Sequence, residues 1–116
     1  MEKVSLLKMV QESLDDMKAQ DVRILDVSDK STITETIIIA TGTSSRHVKA
    51  VANRVVMDAK HNGHPPLGIE GEQGSDWVLV DLDEIVLHVM IQQTRDFYNL
   101  EKLWSTQPVD ESTSKA

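Results

Sequence analysis

Thr36-Ile37-Ile38-Ile39-Ala40-Thr41-Gly42-Thr43-Ser44-Ser45-Arg46-His47-Val48-Lys49-Ala50 reads as a strand running into a glycine turn and then a helix. The unbroken β-favouring or small apolar run from Ile37 to Ala40 suits a strand central in its sheet or covered on both faces. Gly42 stops it, and Ser44 or Ser45 can cap the helix by accepting a bond from an otherwise free backbone N–H. The same turn offers an anion a set of free N–H groups and a partial positive charge, with Arg46 and Lys49 as added cations. Either it grips a phosphate or it only turns the chain, and the choice separates an enzyme from a binding protein.

Downstream, Val48, Ala52, Val55 and Ala59 form a buried stripe, while Arg46, Lys49, Asn53 and Lys60 lie toward water. His61-Asn62-Gly63 closes this helix with residues that tolerate a left-handed backbone, and Pro65-Pro66 prevents its continuation. Upstream, the strand Val22–Ser28 ends in the turn-rich Asp29-Lys30-Ser31-Thr32, at hairpin distance from the opening strand. Before it, Val4, Leu7, Val10, Leu14 and Met17 recur at helical steps and predict a helix from about Glu2 to Ala19.

Toward the C-terminus follow an extended segment, Leu67–Gly71, and two strands, Asp76–Asp81 and Glu84–Ile91, joined around Leu82-Asp83. The last helix is expected to begin near Thr94, with Phe97, Leu100 and Trp104 on its apolar face. The order α-β-β-α-β-β-β-α predicts a mixed α/β sheet with three helices, whose strand-helix-strand middle requires a parallel crossover. One domain over residues 1–105 and a polar, disordered tail over 106–116 are expected.

Alternation assigns faces to the last strands. Val78, Val80 and Leu82 oppose Trp77, Leu79 and Asp81, and Ile85, Leu87, Val89 and Ile91 oppose Val86, His88 and Met90. The first set of each is purely apolar and is expected to be core. The second mixes Trp, Met, His and Asp. Left uncovered, such a face has the character of an interaction surface; under a helix, Trp77 is ordinary core.

Charge sharpens this. The formal net charge is -7, which opposes nucleic acid as the main contact, because phosphate affinity comes mostly from Lys and Arg. From His61 through Thr94 there is no Lys or Arg, while Glu70, Glu72, Asp76, Asp81, Asp83 and Glu84 all fall there. That field favours a basic partner. No window approaches the roughly 20 apolar residues that cross a bilayer, and the N-terminus lacks signal-peptide order, so a cytoplasmic location away from membranes is expected.

Catalytic patterns are weak. Without Cys, thiolate chemistry and disulfides are excluded. The opening turn lacks the glycine spacing of a P-loop or a dinucleotide fingerprint. It is closer to the Gly-Ser entry of the nucleotidyltransferase fold, where paired carboxylates soon follow on a strand to hold metal. Here the first close pair after Gly42, Asp81 and Asp83, comes well beyond the helix, at an expected strand-to-strand turn. His61 and His64 have no third ligand at a telling distance. Ser44, Ser45, His47 and Asp58 supply the letters of a hydrolytic triad without a nucleophile elbow. No catalytic residue, metal or cofactor is expected; the competing reading is an enzyme of nucleotide transfer using the Gly-Thr-Ser-Ser turn.

Several motifs, in one order from about Leu6 to Ser105, carry a resemblance. They are ATGTSSRHVKAVANRV, Gly63 to Glu72 as GHPPLGIEGE, Asp76-Trp77-Val78, Val86-Leu87-His88-Val89, and Arg95 to Trp104 as RDFYNLEKLW. Together they closely resemble the ribosomal silencing factor family, also called Iojap. The resemblance implies a nucleotidyltransferase-like fold without known enzymatic activity. It implies binding to the large ribosomal subunit through its ribosomal protein fourteen, at the subunit interface, so that the small subunit cannot join and translation is damped when nutrients are scarce. It also implies homodimers when free. On the matching positions, the docking residues are expected to be Glu70, Glu72, Asp76, Trp77, Asp81, His88 and Tyr98, with Trp77 as anchor and the acids facing Lys and Arg of the partner. Members often carry Gly-Asp in the last hairpin, where this chain has Asp83-Glu84, and Asp tolerates positive φ less well than Gly.

Overall fold

The structure, a computed structural model, describes residues 3–27, 36–71 and 76–103. Glu72, the turn at Asp29–Thr32, Trp104 and the tail 106–116 lie outside them. The elements are α1 (Lys3–Asp16), β1 (Gln20–Asp26), β2 (Thr36–Gly42), α2 (Ser45–His61), β3 (Gly68–Glu70), β4 (Trp77–Asp81), β5 (Ile85–Ile91), α3 (Gln92–Tyr98) and the short α4 (Leu100–Leu103). They build one mixed sheet in the order β1-β2-β5-β4-β3, with β2 and β5 parallel and every other pair antiparallel.

The opening strand takes the place its composition demands. Every residue of β2 is buried, and the strand pairs with β1 along one edge and with β5 along the other. Ile38 and Ala40 face α1 and α2, packing with Leu6, Val10, Leu14, Val48, Val55 and the apolar sets of β4 and β5. On the other face, Ile37 and Ile39 join Val27 and Met90, with Leu25, Trp77 and Leu100 against them.

Both long helices end in the same hydrogen-bond pattern, with different residues at its left-handed position. In α2 the Gly63 and His64 N–H groups donate to the Lys60 and Ala59 carbonyls, and Gly63 has φ 76°. In α1 the Lys18 and Ala19 N–H groups donate to Asp15 and Leu14, and the left-handed position falls to Lys18, with φ 60°. A Cβ there opposes the backbone, so α1 stops at a strained residue.

The buried face of α1 is Leu6, Met9, Val10, Ser13 and Leu14, rotated slightly from the predicted stripe, since Leu7 and Met17 are only half-buried. Ser13 is inside because Asp58 of α2 meets it: Ser13 Oγ lies 2.5 Å from Asp58 Oδ2, which also accepts from Arg54 Nε at 2.9 Å. Arg54 then reaches Asp16 of α1 at 3.0 Å. The two helices are thus held by packing and by a polar clasp at its margin.

The C-terminal segment departs most from expectation. The helix begins at Gln92, straight out of β5 and ahead of Thr94, and Asn99 at φ 49° breaks it after Tyr98. Phe97 follows Arg95 by two residues, about 200° around α3, and so points outward. It is 80% exposed rather than part of an apolar buried face. Arg95 takes the inward position instead. At 3% exposure, its Nη1 donates to the Asp21 carbonyl at 2.6 Å and to Thr41 Oγ1 at 2.7 Å. Asp21 sits at a bulge in β1 with φ 46°, and so offers its carbonyl to α3.

Two substitutions test these constraints. Gly42→Ala would place a Cβ 2.7 Å from Val48 Cγ2 and 2.9 Å from the Val48 backbone nitrogen. It is expected to cost about 1–3 kcal/mol in urea denaturation. Lys18→Gly relieves the left-handed residue of α1 and is expected to gain about 0.5–1 kcal/mol in the same assay.

Candidate interface on the second sheet face

The turn after β2 engages both of its serine hydroxyls within the chain. Ser44 caps α2 by accepting from the His47 N–H at 3.1 Å, and Ser45 Oγ donates to Asp76 Oδ1 at 2.6 Å. A carboxylate of the chain itself therefore sits where a helix start would hold an external anion. His47 Nδ1 accepts the Thr43 N–H at 2.9 Å, which leaves the ring proton on Nε2 to donate to the Met17 carbonyl at 2.7 Å. One imidazole thereby ties the end of α1 to the start of α2.

Neither candidate for chemistry assembles. Asp58 lies about 16 Å along α2 from His47 at helical rise, engaged with Ser13 and Arg54. Asp81 and Asp83 stand at the far end of β4 from Ser45, and Asp81 Oδ1 accepts the Asp83 N–H at 2.9 Å. Among the described residues no three His, Asp or Glu side chains converge as metal ligands. His64 bonds the Leu82 carbonyl at 3.0 Å and pins the loop after α2 to the last hairpin. A cleft of about 360 Å³ between α2 and the β3–β4 edge, lined by Lys49, Asn53, Val56, Ile69 and Val78, brings no acid pair to that turn.

The second sheet face carries the other features. Pairing registers place Glu70, Leu79, His88, Ile39 and Arg23 in one row across all five strands. At the β1-β2-β5 end this face is closed over Ile37, Ile39 and Met90. Toward β4 it stays half open at Trp77, Leu79, Asp81 and Val86. Four rings then lead from inside to outside. His88 is 8% exposed and accepts the Trp77 Nε1–H on Nδ1 at 3.0 Å. Trp77 is half-buried, with Tyr98 at 4.8 Å between ring centroids; Tyr98 is 54% exposed and meets Phe97 edge-on at 5.0 Å. Offset and edge-on contacts of this kind suit the ring quadrupoles.

Of the expected docking residues, the structure brings Trp77, His88 and Tyr98 into direct contact and puts Glu70 and Asp81 on the same face. Asp76 stands at the entry of β4, bonded to Ser45, and Glu72 lies outside the described residues. Phe97 was not among them. Its exposure follows from Arg95 taking the inward side of α3 two residues earlier, and Asn99, a residue type that tolerates the left-handed helix stop, could have marked where that helix ends. Arg95 had no such signal, because its partners come from β1 and β2.

Burial lowers the His88 ring from 6.5 to about 4, because a charged imidazole loses its water there. Its neutral form is also the one whose Nδ1 can accept from Trp77.

Comparison with known proteins finds relatives of the whole chain. The family described as ribosomal silencing factor during starvation matches residues 1–116. Ribosomal silencing factor RsfS of Haemophilus influenzae is 41% identical over 102 residues, covering 88% of this chain and 100% of that protein. Mouse mitochondrial assembly of ribosomal large subunit protein 1 is 34% identical over 100 residues, 84% of this chain and 44% of its own length. A crystal structure of a Chromobacterium violaceum protein superposes with a TM-score of 0.89 at 39% identity, covering 100% of this chain and 97% of the other.

The buried imidazole sets a pH dependence. Above pH 6.5 the ring is neutral folded and unfolded alike, so its environment costs nothing. Between 6.5 and about 4 the unfolded ring takes a proton that the buried one refuses, so stability falls as pH falls through that window. Between about pH 7.5 and pH 5, wild type is expected to lose about 2 kcal/mol more than His88→Leu in chemical denaturation. Equal losses would show that His88 does not stay neutral in the fold.

Proposed function

The chain belongs to the ribosomal silencing factor family, and on that premise we propose that it silences ribosomes by docking on the large subunit so that the small subunit cannot join. The partner is the large-subunit ribosomal protein fourteen, met through the half-open second sheet face, and the free protein is a cytoplasmic homodimer. It is a regulatory binding protein rather than an enzyme. The observation that carries this reading is the ring series from His88 to Phe97, whose outer members face solvent beside acids on the same sheet face.

The physical division of labour follows from burial. Trp77 is the anchor, since most of its surface is already held by the fold and the remainder is offered on a strand of the sheet; large aromatics dominate truncation costs at interfaces. Tyr98 and Phe97 widen the apolar contact. Glu70 and Asp81 contribute charge without lying in the apolar centre, an arrangement that speeds encounter with a basic surface more than it tightens the final complex.

Trp77→Ala is expected to weaken binding to large ribosomal subunits by more than about 2 kcal/mol while the domain stays folded. Sedimentation of mixed subunits should then recover paired ribosomes at doses where wild type keeps them apart. Normal binding by a folded Trp77→Ala would move the docking surface elsewhere. Raising salt is expected to slow association more than it speeds dissociation, and charge reversal at Glu70, Glu72 and Asp76 together to mimic it at low ionic strength. If the reversed variant separates subunits at wild-type dose, acidic steering plays no part.

A further inference from the structure

We infer that His88 is the positioning residue of this docking face, fixing the plane of the Trp77 indole by accepting its Nε1–H from beneath while making no contact with the partner itself. The inference rests on the docking reading above and assigns the buried imidazole a distinct role within it.

The geometry singles it out. His88 belongs to β5, the central strand, with Leu79 and Ile39 as its neighbours in register, so its backbone is among the best supported in the sheet. The indole stands over it with ring centroids 5.8 Å apart and planes inclined by 47°. Tyr98 closes from another side at 4.8 Å. A partly exposed tryptophan on a strand near the sheet edge could otherwise turn its N–H to water. The 3.0 Å bond removes that freedom, because only one orientation of the ring brings Nε1 to Nδ1. A partner meeting the ring already fixed loses less side-chain freedom on binding, worth about three- to tenfold in affinity for one such residue. At 8% exposure the imidazole has almost no surface left for a direct contact. Its neutral state, kept by burial, is what leaves Nδ1 free to accept.

The test uses the full chain with Trp104→Phe, which leaves one indole of the two, and purified large ribosomal subunits as the probe. His88→Leu removes the acceptor, and His88→Asn returns an oxygen near the place of Nδ1; His88→Phe replaces the Leu variant should that fail to fold. Exchange of the indole N–H by NMR reads the lock, and subunit binding reads its consequence. The expected result is faster indole exchange and about three- to tenfold weaker binding in His88→Leu, with both restored toward wild type in His88→Asn. Wild-type binding by His88→Leu, or weak binding by a folded His88→Asn whose indole still exchanges slowly, overturns the positioning role. Trp77→Ala separates the two levels. If it binds as wild type, the docking reading fails and the role of His88 with it. If it binds weakly while His88→Leu does not, only the role of His88 fails.

Discussion

A strand with no exposed residue must be paired along both edges and packed on both faces, and β2 imposes that demand on the rest of the chain. β1 supplies one edge by a hairpin. The other has to come from β5, which reaches it in parallel only because α2 and the β3–β4 hairpin intervene. Once the pair is formed, α1 and α2 fill the face of Ile38 and Ala40. The face of Ile37 and Ile39 is left to the short C-terminal segment. Among the described residues, α3 and α4 leave Trp77, Leu79, Asp81 and Val86 on that face only partly buried. The asymmetry leaves the β4 end half open, and there the proposed contact is made.

The polar groups divide in the same way. Those on the helix side are spent inside the molecule: Ser44 and Asp76 on the start of α2, His47 on the end of α1, Asp58 between Ser13 and Arg54. At the phosphate-like turn, the hydroxyls of Ser44 and Ser45 are both engaged within the chain. Asp76 and Asp81 each hold a local hydrogen bond and are the acids to which the proposed function gives a steering role. Their bonds to Ser45 and to the Asp83 N–H fix where their charges stand.

Regular periodicity made much of this legible. The apolar run of β2, the alternation in β4 and the stripe of α2 each bury what their pattern requires, down to Leu82 and Ile85 flanking the Asp83-Glu84 turn, whereas in β5 Ile91 of the expected core set is only half-buried and His88 and Met90 of the opposite set are buried. In that turn Asp83 adopts φ 76°, the position where a glycine is usual, and its N–H bond to Asp81 helps hold it there. What escaped the sequence was set by distant partners. Arg95 is inside because a bulge in β1 presents the Asp21 carbonyl, and Ser13 because Asp58 faces it; neither has a local signature. Phe97 follows apolar spacing faithfully, yet α3 turns Arg95 inward and so carries Phe97 to its other side, and Asn99 ends that helix before Leu100. Of the interface, strand alternation put Trp77 and His88 on a common face. Only geometry could show that one ring lies behind the other.

The parallel pairing of β2 also has a cost in the order of synthesis. Thr36 to Thr41 is an uncharged, isoleucine-rich segment without proline or glycine, the composition that stacks into cross-β assemblies when its edges are open. Its hairpin partner precedes it, but β5 emerges only after α2, β3 and β4, so a growing chain carries this segment with one edge unsatisfied for much of its elongation. A product truncated before Ile85 would keep that edge for good. The last hairpin therefore serves as the cover that converts an aggregation-prone intermediate into a finished domain.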